Sequence, residues 1–321
     1  FEPNPDAFAA LEKTRGPNEL YFPLAVGDGE THVLHLYRNS GLSSIYPPHL
    51  PGLHALGRRR WAQMDRDVEM KTVALDKIAD LPAIDCVKID IQGGEKIVFE
   101  NARRVMANAV AVIVEVRWMQ LYEGEPMSGG VDEELRAQGF MLHKFIFNKS
   151  TMLANSQMRN LSRRANADQM IDGDAIYLRH PGKLDELSEE QLCHMAVLGG
   201  SVLSSHSLTV AVLDELVRRG KIDRRAPARY VAALPEELRR PDPTAEQSEA
   251  ETAQPMASDV DDEGEADAPP VDVSAMSFEE DLPQPDPVPP LVLPEEVKPA
   301  AKAKAPAKSS RKAAKPASDA A

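Results

Sequence analysis

The chain has few cysteines, few aromatic residues and no long apolar run. Its 321 residues include 2 cysteines, and aromatic side chains make up 5%. Cys86 and Cys193 are far apart in sequence, which excludes a disulfide scaffold and a cysteine-based zinc site and favours a reducing, cytoplasmic location. No apolar run approaches the roughly 20 residues that cross a bilayer, and no signal peptide is visible. Because the chain begins at Phe1 rather than at Met, we expect an N-terminally truncated fragment.

The formal net charge of −14 is concentrated at the carboxyl end of the chain. Residues 241–321 contain 18 acidic and 7 basic residues and 14 of the 26 prolines, with Phe278 as their single aromatic residue. Such a composition cannot bury a core, so it predicts a disordered tail that is acidic and Pro-rich over 241–297 and basic over 298–321. The basic end is suited to nucleic acid or to the acidic stretch before it, and composition does not separate these partners.

Residues 1–180 show the alternation of strands and helices that is typical of a doubly wound α/β sheet. A short helix is expected near residues 6–12, and longer helices over 95–106 and 131–138. We expect the strand at 31–37 to form a hairpin with the strand before it, and the strand at 110–116 to be covered on both faces. The strands are predicted at residues 20–26, 31–37, 68–75, 84–91, 110–116, 140–147 and 174–178.

Residues 181–240 predict a helical appendage to this sheet. Ser188 and Gln191 have the spacing of a capping box, and a second helix is expected to begin after Ser207 and to end at Gly220. The sequence therefore divides into an α/β domain (1–180), the helical segment (181–240) and the two parts of the tail.

Four acidic residues follow or lie near the ends of predicted strands: Glu2, Asp28, Asp90 and Glu115. In open α/β sheets ligands bind at the carboxyl ends of the strands, so we expect these acids at one polar edge. Asp28 lies in a Gly-Asp-Gly turn and is also typical of a turn former. Glu115 lies inside an apolar strand, where an unpaired charge is costly, so it must be paired or face a cleft.

These residues together resemble the FkbM family of S-adenosylmethionine-dependent methyltransferases over residues 1 to about 180. The strongest element is the block from Lys88 to Glu95, which contains Asp90 and the pair Gly93-Gly94. The residues that carry the resemblance are 1–5, 25–28, 43–44, Thr72, 75–76, 84–95, Glu115 and 139–140.

The resemblance implies a Rossmann-like class I methyltransferase sheet with an antiparallel end and an O-methyl transfer from S-adenosylmethionine. The ribose of the cofactor is expected on Glu2, its adenine near Val26 and Asp28, and its methyl group near Asp90. Asp90 is the candidate general base and Glu115 the second candidate, and Asp90 acting only to orient cofactor or substrate is the alternative. The acceptor is expected to be a small molecule, glycan or lipid, and no metal ligand is assigned.

Two departures from the family pattern bear on activity. The family often has an acid where Gln92 stands, and the Gly-rich turn that approaches the methionine part of the cofactor is missing ahead of Phe1. We therefore expect the fragment alone neither to fold cooperatively nor to bind cofactor. A second interpretation is an inactive methyltransferase-like interaction module that acts through the helical segment and the tail, and a nicotinamide-dependent dehydrogenase ranks third because it does not explain the block 88–95.

Two charged motifs have weaker interpretations. Asp65-Arg66-Asp67 has the form of a glycosyltransferase metal motif, but the motif is short and common. The clusters 58–61 and 163–164 are suited to an anionic substrate or are ordinary solvated loops.

Overall fold

The computed structural model describes residues 1–79 and 81–240, so the predictions for 241–297 and 298–321 lie outside the described residues. Glu2–Pro23 forms a small compact unit, and the described chain from Leu24 onward forms another. The small unit contains helix α1 (Pro5–Thr14), which begins where the Asn4 side chain accepts hydrogen bonds from the first backbone amides. The short helix predicted near residues 6–12 is therefore present.

The larger unit begins with a three-stranded sheet. Its strands are β1 (Ala25–Val26), β2 (Thr31–Tyr37) and β3 (Met64–Val73), and helix α2 (Leu50–Ala55) precedes β3. The order is β1-β3-β2, with β1 parallel and β2 antiparallel to β3. The predicted hairpin of residues 20–26 with 31–37 is wrong, because β3 lies between these strands. The first strand is also shorter than predicted, beginning after Pro23, which lacks the N–H that a ladder needs.

A second sheet has four strands, β4 (Cys86–Ile89), β5 (Ala111–Arg117), β6 (Phe140–Thr151) and β7 (Gln169–Arg179). Their order is β4-β5-β7-β6, with β4 and β5 parallel and the other pairs antiparallel, as expected for the end of the sheet. Among the described strands none pairs with the other edge of β1 or of β4. The chain is therefore a mixed α/β protein with two sheets, where the sequence had predicted one continuous sheet.

The helix predicted over 95–106 is interrupted. Helix α3 (Glu95–Glu100) is followed by α4 (Arg103–Met106), and the residues between them leave the helical conformation. Both carboxylate oxygens of Asp76 accept bonds from the backbone amides of Arg104 and Val105. Asp76 thus satisfies the free amides at the start of α4, which makes a separate helix stable there.

Helices cover both faces of the four-stranded sheet. Val112, Val114 and Val116 of β5 share one apolar cluster with α3 and with α5 (Ser128–Ala137). The alternate β5 residues Ala111 and Ile113 share another cluster with α6 (Glu189–Ser201) and α7 (His206–Arg218). Successive strand residues point to opposite faces, so burial of both faces explains why β5 is apolar except at Glu115 and Arg117. The prediction that this strand is covered on both faces is confirmed.

The helical segment after β7 begins as its sequence predicts. Ser188 and Gln191 form the predicted capping box at the start of α6. Gly220 adopts a φ of +67° just after α7, as is typical of a residue that ends a helix, and α8 (Ala226–Ala232) follows. Within the described residues, no helix has both the length and the apolar character needed to span a bilayer.

Candidate active site

The parallel pair β4 and β5 brings two of the predicted acids together. Ile89 is the register partner of Val114, so Asp90, directly after β4, lies beside Glu115 of β5. The side-chain amide of Gln92 joins the two carboxylates, because Nε2 donates to Asp90 Oδ1 at 2.8 Å and to Glu115 Oε2 at 3.0 Å. Asp90 is exposed, whereas the Glu115 side chain is only 12% exposed. One acid therefore faces solvent at the strand end while its neighbour lies behind it.

Gln92 is held in an uncommon backbone conformation. Its φ of 60° lies in the left-handed region, which costs a non-glycine residue on the order of 1 kcal/mol. Ser44 Oγ donates to the Gln92 carbonyl at 2.6 Å, and Gln92 Oε1 accepts from Arg117 Nη2 at 2.7 Å and from Tyr122 OH at 3.1 Å. These contacts orient the amide so that its nitrogen faces the two carboxylates.

Arg117 is the buried cation of this site. Its side chain is 4% exposed and pairs through Nη2 with Glu115 Oε2 at 2.8 Å and through Nη1 with Asp172 Oδ2 at 3.0 Å. Its Nε lies 3.4 Å from Oε2 of the fully buried Glu125. Burial lowers the pKa of Arg117, but the three carboxylates outweigh it and keep the pKa above its ordinary value. Arg117 is therefore charged and anchors the acids around it.

The Glu115 carboxyl group has a strongly raised pKa. Burial is the main cause and raises it to about 8, while Arg117 acts in the opposite direction and the nearby Asp90 adds to the increase. Burial also raises the pKa of Glu125, against hydrogen bonds from the amides of Leu121 and Tyr122. At neutral pH Glu115 therefore carries a proton in much of the population.

Glu95 is a third acid close to this pair. It begins α3, and its buried carboxylate accepts hydrogen bonds from the amides of Ile91 at 2.8 Å and Gly93 at 3.0 Å. Gly93 has a φ of +105°, a conformation that suits glycine, and it turns its amide toward Glu95. One carboxylate oxygen of each of Asp90, Glu95 and Glu115 lies within 4.8 Å of the others. Amide donors already bind these carboxylates, and we assign no metal to them.

The other predicted site residues belong to other structural elements. Val26 belongs to β1, and Asp28 lies in the turn after this strand, where its Oδ1 accepts from the Glu30 amide at 2.9 Å and lies 2.9 Å from His32 Nε2. Burial raises the pKa of Asp28, but these contacts outweigh it and leave the pKa below its ordinary value. Glu2 lies in the small unit, where its Oε1 accepts from the Asn4 amide at 2.8 Å.

Sequence reasoning did not identify Arg117, Glu125 or Asp172 as parts of this site, and it noted Gln92 only as a position where the family often has an acid. A signal existed for Arg117, which lies two strand positions after Glu115 and therefore on the same face. Asp172 is the register partner of Arg117 across the antiparallel β5–β7 pair, and no sequence pattern gives that pairing. The contact of Glu125 with Arg117 depends on a loop and carries no periodic signal.

Comparison with known proteins gives a family match for the first part of the chain. Residues 1–142 match the family described as the methyltransferase FkbM domain, a region that runs into β6 and includes Asp90, Gln92, Glu115 and Arg117. Searches of curated proteins and of solved structures gave no significant match. The resemblance drawn from the sequence is confirmed, and the matched region ends before the expected boundary near residue 180.

Proposed function

Because residues 1–142 match the methyltransferase FkbM domain, we propose that this protein is a methyltransferase that transfers the methyl group of S-adenosylmethionine to a hydroxyl group of a sugar, lipid or secondary metabolite. We assign the activity to residues 1–180 and regard 181–240 as a helical appendage that covers one face of the sheet. We also propose that the sheets are arranged as in a Rossmann-like fold and that the protein is cytoplasmic. The observation that carries it is the exposed, oriented carboxylate of Asp90 beside a buried charge network.

Asp90 is the proposed general base. An attacking hydroxyl reacts faster when a carboxylate within hydrogen-bond reach accepts its proton. Gln92 fixes Oδ1 of Asp90, and the carboxylate remains accessible from solvent. Glu115 is the second candidate, because its Oε2 already accepts from Gln92 and Arg117 and its raised pKa leaves it largely protonated at neutral pH.

The acidic residues of the candidate site fit the positive charge of the proposed cofactor. When bound, S-adenosylmethionine supplies an electrophilic methyl group on a positively charged sulfur, and carboxylates at a strand edge attract such a charge. We propose Glu2 for the ribose hydroxyls and Val26 with Asp28 for the adenine, with Asp90 also in contact with the cofactor. All hydrogen bonds of Asp28 with described residues use Oδ1, which leaves Oδ2 as an acceptor for an amino group.

The test replaces Asp90 by asparagine in the intact protein. General-base catalysis contributes roughly 10²- to 10⁴-fold, so we expect Asp90→Asn to lower kcat by at least about 100-fold. Asp214→Asn is the matched control, because Asp214 is exposed on α7 and belongs to no described ion pair. The assay measures transfer of labelled methyl from S-adenosylmethionine to cell-envelope glycans and lipids, and calorimetry measures cofactor affinity separately.

Three results distinguish the possible roles of Asp90. Loss of turnover with an unchanged Kd for S-adenosylmethionine supports the general base. Loss of turnover together with cofactor affinity assigns Asp90 to orienting the cofactor instead. Turnover close to that of the Asp214→Asn control would refute both roles.

A further inference from the structure

A cluster of cations surrounds Trp61 on the surface of the larger unit. The guanidinium carbon of Arg58 lies 5.3 Å from the centre of the Trp61 ring, and the ammonium group of Lys149 lies 5.0 Å from it. These distances are typical of cation–π contacts. The two cations come from the turn after α2 and from β6, so the fold brings together charges that are distant in sequence. Like charges held around one ring repel each other, and a bound anion removes that repulsion.

The loop between β6 and β7 extends this positive surface. The Ala154 amide donates to the Ala55 carbonyl at 2.8 Å, which fixes the loop against the end of α2. Segments 57–62 and 149–167 contain no acidic residue. Within the part of the chain that the structure describes, four exposed arginines of these segments form no ion pair: Arg59, Arg60, Arg159 and Arg163. Cations that are not neutralised by the protein itself form a site suited to an anion.

The first two acids after segment 57–62 have partners of their own. Asp65 pairs with Arg66 at 3.1 Å, and Asp67 lies 2.7 Å from His35 Nδ1. Because these carboxylates are engaged, they do not cancel the charge of the neighbouring arginines.

The positive surface is connected to the candidate active site. Lys149 Nζ lies 3.9 Å from Asp172 Oδ2, and the same oxygen pairs with Arg117, the buried cation that contacts Glu115. Trp61 packs against the apolar cluster that contains Tyr122, whose hydroxyl donates to Gln92. A ligand bound at Trp61 therefore lies on the side of the protein that carries the proposed general base.

We propose that this basic surface, formed by Arg58, Arg59, Arg60, Trp61 and Lys149, binds an anionic group of the methyl acceptor. The group is a phosphate or carboxylate carried by a sugar, and the inference rests on the proposed O-methyl transfer at the site of Asp90. A nucleic acid fits less well, because single-strand binding uses open aromatic faces for base stacking, and the ring of Trp61 is already in contact with two cations.

The experiment measures binding of fluorescent polymers by anisotropy without S-adenosylmethionine. The probes are polygalacturonate for sugar carboxylates, polyphosphate for phosphates, neutral dextran and a single-stranded oligodeoxynucleotide. The protein is the full chain with the lysines and arginine of segment 298–321 changed to glutamine, so that this segment does not bind the probes. The variant Arg59→Gln/Arg60→Gln is compared with Arg224→Gln/Arg225→Gln, which removes the same charge from an exposed turn before α8.

We expect the Arg59→Gln/Arg60→Gln variant to bind polygalacturonate or polyphosphate about tenfold more weakly than the parent, because it loses two exposed ionic contacts. The control variant is expected to bind within about twofold of the parent. The tighter of the two anionic probes identifies the group. Equal losses in both variants, equal binding of dextran, or tighter binding of the oligonucleotide would overturn the inference. The result is independent of Asp90, because the binding assay needs no turnover.

Discussion

Replacing Glu115 by glutamine tests whether the raised pKa of this buried acid controls the stability of the protein. Glutamine has nearly the same shape, and its side-chain oxygen still accepts the hydrogen bonds that Gln92 and Arg117 donate to Glu115 Oε2. The substitution therefore removes the ionisable proton while it keeps the packing. Any change in the pH dependence of stability then comes from the titration of one group.

The sign of the expected change in stability with pH follows from the linkage between protonation and folding. Burial raises the pKa of Glu115 to about 8 from its ordinary value of 4.5, so between these values the folded state binds more protons than the unfolded state. The stabilisation from a protonated Glu115 is complete below the unfolded pKa and is lost as pH rises through about 8. The slope reaches at most about 1.4 kcal/mol per pH unit, which gives a loss of up to roughly 4 kcal/mol between pH 5 and pH 8.

Urea unfolding of the intact protein at several pH values measures this effect. Trp118 directly follows Arg117 in the chain, so in a Trp61→Phe background its fluorescence reports on the region that titrates. We expect the free energy of unfolding of the parent to fall by a few kcal/mol relative to Glu115→Gln between pH 5 and pH 8. The difference between the two curves removes contributions that other acids make to both proteins. Glu133→Gln is the control, because Glu133 is exposed on α5.

The reasoning is refuted by parallel pH profiles of the parent and Glu115→Gln. It is also refuted if the parent gains stability relative to the variant as pH rises. That result would mean that the attraction of Arg117 outweighs burial and holds Glu115 ionised at neutral pH.

Much of the four-stranded sheet could be predicted because local periodicity and burial agree there. β5 is apolar at every position except Glu115 and Arg117, and it is buried on both faces by helices, of which α6 was recognisable from its capping box. The expected proximity of Asp90 and Glu115 follows from the rule that the carboxyl ends of parallel strands meet at one edge, and the structure brings them together.

The pairing of the first strands could not be predicted, because pairing depends on contacts distant in sequence. The strand at 31–37 follows a Gly-Asp-Gly turn, which favours a hairpin with the strand before it. In the structure β2 pairs instead with β3 along seven register positions, whereas β1 contains only two residues. The longer ladder forms more hydrogen bonds, and it outweighs the local turn signal.

The buried network was missed for a related reason. Gln92 reads in the sequence as a polar residue before two glycines, and neither its left-handed backbone nor its four side-chain hydrogen bonds have a local signature. The network depends on Arg117, which satisfies the prediction that Glu115 needs a partner. The cost of burying the charge of Glu115 thus indicated that this residue needs a partner, and the structure shows that the partner is Arg117.

Two further substitutions test the buried charges and the helical segment. Arg117→Met is expected to lower the free energy of unfolding in urea by about 3–5 kcal/mol, because it leaves the buried Glu125 without a cation and Asp172 with only the more distant Lys149. A loss below about 1 kcal/mol would contradict this. Leu192→Ala on α6 is expected to cost about 2–5 kcal/mol, since Leu192 is fully buried in the cluster shared with β5, whereas Val197→Ala on the exposed side of α6 changes stability by less than about 0.5 kcal/mol. If the helical segment folded independently, Leu192→Ala would instead leave the transition reported by Trp118 unchanged.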